Sequence, residues 1–217
     1  MSKGLISQGD VEQNVLLVEG PDDVGVCYHL MTRYKVRIPE QVCIKDKGGV
    51  ENILDTLDTE LDASSLERLG ILVDADEDLS IRWQSLYDKL RGLGFTSVPH
   101  NPDPKGTIIR EDGRPIVGIW LMPDNQLPGM LEHFCSFLIP AGDILWNVAE
   151  SALEQVVQQE CRFPEEHLMK AHIHTWLAWQ KEPGKPMGQA ITKKFFNSKA
   201  PHAQQFMEWI RRLFELA

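Results

Sequence analysis

The chain lacks any run of about 18 apolar residues, so it offers no candidate membrane span. Its opening stretch, MSKGLISQGD, has no apolar core of signal-peptide length, and the sequence reads as that of a cytoplasmic protein. Cysteine is sparse. Cys27, Cys43, Cys135 and Cys161 stand far apart with no C-x-x-C pair, which argues against a zinc site or a disulfide framework. Cys27 and Cys43 fall in apolar runs and read as small core residues. Positive charge is also short: 22 Lys and Arg face 32 Asp and Glu, a net charge of −10. A broad electrostatic grip on nucleic acid needs the opposite balance. One local exception exists. Residues 181–199 hold Lys181, Lys185, Lys193, Lys194 and Lys199 against Glu182 alone, either a solvated face or a local contact for nucleic acid. No internal repeat, low-complexity stretch or Walker A sequence occurs. What remains is ordinary for a globular protein: 217 residues, 42% hydrophobic and 25% charged, enough for one domain with a sizeable extension.

Against that background two acidic clusters stand out, each directly behind an apolar run. The first is Val15-Leu16-Leu17-Val18-Glu19-Gly20-Pro21-Asp22-Asp23; the second is Gly70-Ile71-Leu72-Val73-Asp74-Ala75-Asp76-Glu77-Asp78. Each reads as a buried strand that runs out into carboxylates. If the strands are parallel and adjacent, the carboxylates meet at one end of a sheet and repel one another unless a cation sits among them. Hard divalent cations take oxygen ligands and complete their shell with waters and substrate phosphates.

The first half alternates between strand and helix. Strands are expected at Asn14–Glu19, Val42–Lys45 and Leu69–Val73, and helices at Asp22–Tyr34, Val50–Leu61 and Asp78–Leu93. Asp22 and Asp78 are candidate N-caps, and Gly48-Gly49 reads as a turn. Such alternation predicts a parallel sheet with right-handed crossovers. Residues 94–106 form a loop containing proline and glycine. Thr107–Arg110 and Ile116–Met122 then flank Glu111-Asp112-Gly113-Arg114-Pro115, a hairpin signal. The second arm ends in Pro123-Asp124, a third strand that terminates in a carboxylate. From about residue 128 the chain reads helical, over 129–138, 143–159, 164–180, 187–196 and 203–216, with apolar stripes expected to face a core. The expected division is an α/β domain over 1–127 and a helical extension over 128–217 packed on it.

Ligands in parallel α/β sheets gather beyond the carboxyl ends of the strands. Glu19, Asp74, Asp76 and Asp124 all fall at that edge. An Asp-x-Asp after a strand can send both side chains to one side of an extended segment, since strand side chains alternate. Two carboxylates so spaced can share a metal, with Glu19 as a third ligand. Two-metal sites stabilise the attacking and leaving oxygens of phosphoryl transfer. Gly20 fits a tight turn that lets a ligand approach the backbone. Asp23 either joins the site or favours the helix dipole. Asp124 is either a fourth ligand or a turn residue, and Glu132 on the following helix can reach the same edge. Lys193 or Lys194 would stabilise transition-state charge if their segment folds over the acids. His172 and His174, two apart, share no helix face for a metal. Trp176, Trp179, Phe195 and Phe196 form either a seam between helices or a base-stacking surface.

The pairing of Val18-Glu19-Gly20-Pro21-Asp22-Asp23 with Val73-Asp74-Ala75-Asp76 resembles the Toprim domain of bacterial primases, topoisomerases, overcoming-lysogenization-defect nucleases and small recombination or maturase proteins. The resemblance spans roughly residues 12–125. It implies a Toprim-like parallel sheet flanked by helices, here with an added β-hairpin and a helical extension. It further implies Glu19 as general acid or base or metal ligand, and Asp74 and Asp76 as ligands of Mg²⁺ (or Mn²⁺). Met122-Pro123-Asp124-Asn125-Gln126, Pro128-Gly129-Met130-Leu131-Glu132, His174–Gln180 and Pro186–Ile191 look more closely like an uncharacterised bacterial Toprim-related family of about this length, which carries no established reaction. The departures narrow the choice. The tyrosines Tyr28, Tyr34 and Tyr87 have no visible activating partner, no zinc-binding domain is present, and the ATPase of the overcoming-lysogenization-defect proteins is missing from this chain. Two expectations stay open. One is a Mg²⁺-dependent nuclease acting on DNA or RNA phosphodiesters. The other is a non-catalytic metal- or nucleotide-binding regulatory module whose helical half docks a protein partner such as an ATPase.

Overall fold

The computed structural model describes residues 12–216. Five strands form one sheet in the order β2-β1-β3-β5-β4: β1 (Asn14–Val18), β2 (Cys43–Asp46), β3 (Arg68–Asp74), β4 (Thr107–Ile109) and β5 (Ile116–Met122). The first three and β5 are mutually parallel, and β4 closes one edge as the antiparallel arm of the expected hairpin. Helices α1 (Pro21–Arg33), α2 (Val50–Leu61) and α3 (Leu79–Gly92) make the crossovers. After β5 the chain is helical: α4 (Leu131–Ser136), α5 (Ile144–Glu160), α6 (Leu168–Ala178), α7 (Met187–Thr192) and α8 (Pro201–Phe214). The fold is therefore the α/β arrangement with a helical C-terminal part that the alternation predicted. Among the described residues no helix is long and apolar enough to cross a membrane.

Period-2 alternation sorts the strand residues onto two faces. Leu16, Val18, Leu72, Trp120 and Met122 face α1, α4, α6, α7 and α8. Val15, Leu17, Ile71, Val73, Ile119 and Leu121 face α2 and α3. Strands apolar on both faces are what a sheet covered on both sides requires. Glycines let the C-terminal helices come close. Gly70 and Gly118 are register partners on β3 and β5. A Cβ at Gly118 would lie 2.4 Å from Leu213 Cδ2, and one at Gly70 would lie 3.2 Å from the same atom. The pair forms a shallow floor on which α8 rests. Similarly, a Cβ on Gly188 of α7 would fall 2.4 Å from the backbone of Gly25 on α1.

Several local expectations are corrected. Asp22 does not cap α1; Gly20 is the N-cap, because Pro21 suits the first helical position and starts the helix earlier. Asp78 does cap α3, accepting from the amides of Ser80 at 2.8 Å and Ile81 at 3.2 Å. The helix expected over 187–196 ends at Thr192, and Lys194 takes a left-handed φ of 64°. The stretch 164–180 opens as a 3-10 turn over Glu165–His167 before α6 begins. The apolar stripe of α5 is not a core face. Only Ala149 is buried, while Ile144 is 76% exposed and Leu145, Val148, Val156 and Val157 are also exposed. The reason is placement: α5 leans mainly on α6, with the Trp146 and His172 rings stacked 3.5 Å apart.

Candidate functional site

The chain leaves β1 to build β2 on one side and returns to build β3 on the other. This reversal opens a crevice between the carboxyl ends of β1 and β3, the usual ligand position in open α/β sheets. Glu19 follows β1 directly, and Asp74 ends β3. The two are joined: Glu19 Oε1 accepts the Asp74 amide at 2.7 Å. The main chain around Glu19 is held by the Gly48-Gly49 turn, whose φ values of 71° and 121° require glycine. There the Gly49 amide donates to the Glu19 carbonyl at 2.8 Å.

Asp74 is a junction. Its Oδ1 accepts the amide of Leu131, the first residue of α4, at 2.9 Å. The neighbouring Ala75 amide donates to the Met122 carbonyl at 3.1 Å. Asp76 bridges to Gly129 through paired amide–carbonyl bonds of 2.9 and 2.6 Å. The exit of β3 is thus laced to the exit of β5. The segment is not extended throughout, however. Asp76 takes φ 53°, so its carboxylate leaves the side on which Asp74 is buried and pairs with Arg82 of α3. Arg82 also donates from Nε to the Asp74 carbonyl at 3.0 Å.

Two further acids converge from helix N-termini. Asp23, 8% exposed, accepts the Gly20 amide at 3.0 Å. Glu132, 5% exposed, has Lys170 of α6 at 3.6 Å. The electrostatics record the crowding. Burial pushes the Asp74 carboxyl well above its ordinary range, and the charges of Asp23, Glu19, Glu132 and Asp76 add to it. Asp23 is pushed up to about 7, by burial first and by Glu19 second, against the pull of the Gly20 amide. Glu19 is raised by burial, while the Asp74 amide and Arg82 act the other way.

The other expected positions lie differently. Asp124 is 6% exposed, and its Oδ1 accepts the amides of Gln126 at 3.0 Å and Leu127 at 2.9 Å. It braces the loop that carries Gly129, and it is not among the leading charges that act on Asp74, Asp23 or Glu19. Lys193 pairs with Glu182 at 2.7 Å. Helix α7 runs alongside α1 in the same direction, with Gly188 against Gly25 and Thr192 Oγ1 2.8 Å from His29 Nδ1. Lys193 and Lys194 at its far end therefore lie away from the edge where α1 starts. His133 caps α4, its Nδ1 accepting the Met130 amide at 3.1 Å. Trp176 and Phe196 stack in the core at 5.2 Å, whereas Trp179 is exposed.

The cations that do reach the acids, Arg82 and Lys170, carry no motif of their own. The only trace of Arg82 in sequence is its place in the first turn of the helix after the Asp-x-Asp strand. Beside Asp76 and Arg82 lies a cavity of about 1030 Å³ with Met130, His133, Glu165 and His167 in its wall. Among the described residues, no group of three or more His, Cys, Asp or Glu side chains stands ready to hold a metal ion.

A family model matches residues 13–215, that of a protein of unknown function named DUF3226. The chain belongs to the DUF3226 family. The DUF3226 match spans the sheet and the helical part together, so Glu19, Asp23, Asp74, Asp76, Arg82 and Glu132 all fall inside it. No curated protein and no solved structure matches the chain.

Proposed function

We propose that the acidic crevice takes a divalent cation, Mg²⁺ or Mn²⁺, and that this DUF3226 protein is a metal-dependent phosphoryl-transfer protein, a nuclease cleaving DNA or RNA phosphodiesters. One observation carries the reading. Glu19, Asp23 and Glu132 converge with Asp74 from β1, α1, α4 and β3 on one crevice, and the charges of the first three raise the cost of charging Asp74. Burying like charges together is expensive, and a cation offsets that cost. The resemblance of Glu19-Gly20 and Asp74-x-Asp76 to Toprim domains supports the same chemistry.

The donor set suits a hard cation, because every candidate ligand is a carboxylate oxygen. Its geometry is not closed, since Asp76 is turned to Arg82. Asp74, Glu19 and Asp76 would hold the ion once Asp76 swings inward, with Asp23 and Glu132 close by. A bound cation supplies charge stabilisation for the attacking and leaving oxygens. The chain supplies the rest. The Leu131 and Asp74 amides each fix one oxygen of Asp74 and Glu19, leaving less rotation to lose on binding. Glu19 is assigned to move the proton of the attacking water or the leaving oxygen. Arg82, released from Asp76, is assigned to the substrate phosphate.

The second reading, a non-catalytic metal- or nucleotide-binding module with a protein partner, is favoured by the cavity wall. Glu51, Glu77, Asp78, Glu165 and Glu166 outnumber Arg82 there, and no cationic track for a long polyanion accompanies them. Incubation with plasmid, single-stranded DNA and RNA plus Mg²⁺ or Mn²⁺, beside an Asp74→Asn, Asp76→Asn variant, separates the two. The nuclease reading expects cleavage by the native protein only. Cleavage by both or by neither overturns it.

A further inference from the structure

The end of the molecule opposite the acidic crevice carries a second cavity of about 610 Å³, bounded by Arg33, Tyr34, Lys199, Glu208 and Arg211. Helix α1 starts at the crevice and runs 13 residues to Arg33. At about 1.5 Å per residue the two places are about 20 Å apart.

The charge here is the reverse of the rest of the chain. Three cations face one carboxylate, in a protein whose net charge is −10. Among the described residues, Arg33, Lys199 and Arg211 form no ion pair, although Glu208 lines the same cavity. Other cations such as Lys89 and Arg110 are unpaired too; what sets these three apart is that one cavity gathers them. With acids in excess, cations gathered on a concave surface and left without carboxylate partners raise the local potential for an anion.

Part of the wall is already set. The Arg211 guanidinium lies 5.4 Å from the centroid of the Tyr34 ring. The Tyr34 hydroxyl donates to the Ser198 carbonyl at 2.8 Å, locking the ring to the segment that carries Lys199. Gln204 is tied to the Lys199 carbonyl at 2.7 Å through its amide nitrogen, which leaves its oxygen as an acceptor. Here α1 ends and the wall follows α8 from Gln204 to Arg211 in its last turn, so side chains rather than a helix terminus decide the sign. The volume lies within the range of small-ligand sites and is too small for a folded partner.

We propose that this pocket binds a phosphate-bearing small molecule of nucleotide size, its phosphates held by Arg33, Lys199 and Arg211. Arg211 is the fixed anchor; Arg33 and Lys199 at the exposed rim close on the charge. The site stands independently of the acidic crevice and needs no metal.

The test is isothermal titration of the full chain with inorganic pyrophosphate and with ADP. It is carried out in EDTA and repeated in the Asp74→Asn, Asp76→Asn variant to remove the crevice from consideration. Binding is expected in both proteins, weakening as salt rises. Arg33→Glu and Lys199→Glu, both at exposed positions, are each expected to weaken it about tenfold or more without changing the melting temperature. Tighter binding of ADP than of pyrophosphate assigns the remaining volume to the organic part; equal affinities would overturn the nucleotide-sized ligand. No binding of either probe by the native chain up to about millimolar concentration, or equal binding by native chain and both variants, overturns the site.

Discussion

Arg82 holds Asp76 away from Asp74. Its Nη2 pairs with the Asp76 carboxylate while its Nε donates to the Asp74 carbonyl oxygen at 3.0 Å, so one guanidinium holds the second acid of the Asp-x-Asp pair on the side to which its φ of 53° turns it. The Asp76 side chain is 49% exposed, which limits this pair to about 1 kcal/mol.

Arg82→Gln should therefore raise Mn²⁺ affinity about fivefold, since the competing cation is gone and Asp76 is free to turn. Titration followed by the paramagnetic signal of free Mn²⁺ reads this directly. Unchanged or weaker affinity would remove the competition argument. Cleavage, if present, should fall in the same variant, because the group assigned to the substrate phosphate is lost.

Mn²⁺ should stabilise the native protein and not the Asp74→Asn variant. At a concentration about 100 times the dissociation constant the gain is about 2.7 kcal/mol, several degrees in melting temperature for a chain of this size. Asp124→Asn should keep the full shift, since an asparagine oxygen accepts the Gln126 and Leu127 amides equally well. A lost shift in Asp124→Asn would make Asp124 a ligand.

In the metal-free protein, stability should decline as pH rises. Asp23 is pushed from 3.8 up to about 7 in the fold. Between those values the native state holds a proton that the unfolded chain has released, so stability is lost across that window. Asp23→Asn should flatten the slope and stabilise the metal-free protein near neutral pH by on the order of 2–4 kcal/mol. Urea unfolding in EDTA from about pH 4 to about pH 8 measures both; Asp74 and Glu19, also raised by burial, leave part of the slope in the variant, and a slope wholly unchanged by the substitution would assign it to them alone.

The α1–α7 contact should respond unequally to the same change at its two glycines. A Cβ on Gly25 meets the nearest Gly188 atom at 4.0 Å, ordinary contact, whereas a Cβ on Gly188 meets the Gly25 backbone at 2.4 Å. Gly25→Ala should be neutral or stabilising by up to about 1 kcal/mol through helix propensity. Gly188→Ala should cost about 1–3 kcal/mol by forcing the helices apart. Equal effects in chemical denaturation would show that the backbones do not touch there.

The sheet was legible because its signals are local. Val15–Val18 and Ile71–Val73 are continuous apolar runs, and each ends at an acid or glycine that a turn can use. Glu19, Asp74 and Asp76 could be singled out for the same reason: each lies within a residue or two of a strand end. Asp23 and Glu132 were harder to weigh, since an acid in a helix's first turn has a dipole role wherever it lies, and only packing shows that these two are buried together. Arg82 and Lys170 had no signal, because a lone cation in a helix looks the same on a solvated face and beside a site. The exposed stripe of α5 misled for a related reason: periodicity reports that a helix has an apolar face and not what covers it. Lys193 and Lys194 formed a basic run in sequence, yet the direction of α7 carries them away from the acids.

The glycine floor under α8 has a consequence for the order of events during synthesis. Gly70 and Gly118 leave β3 and β5 bare at their centre until Leu213 arrives to fill the space. A nascent chain that has completed all five strands still exposes Trp120 and its neighbours to the chaperone-rich surroundings of the ribosome, since Phe206 and Trp209 come roughly ninety residues later. That face of the sheet must wait, half-covered, for residues 201–214 to emerge.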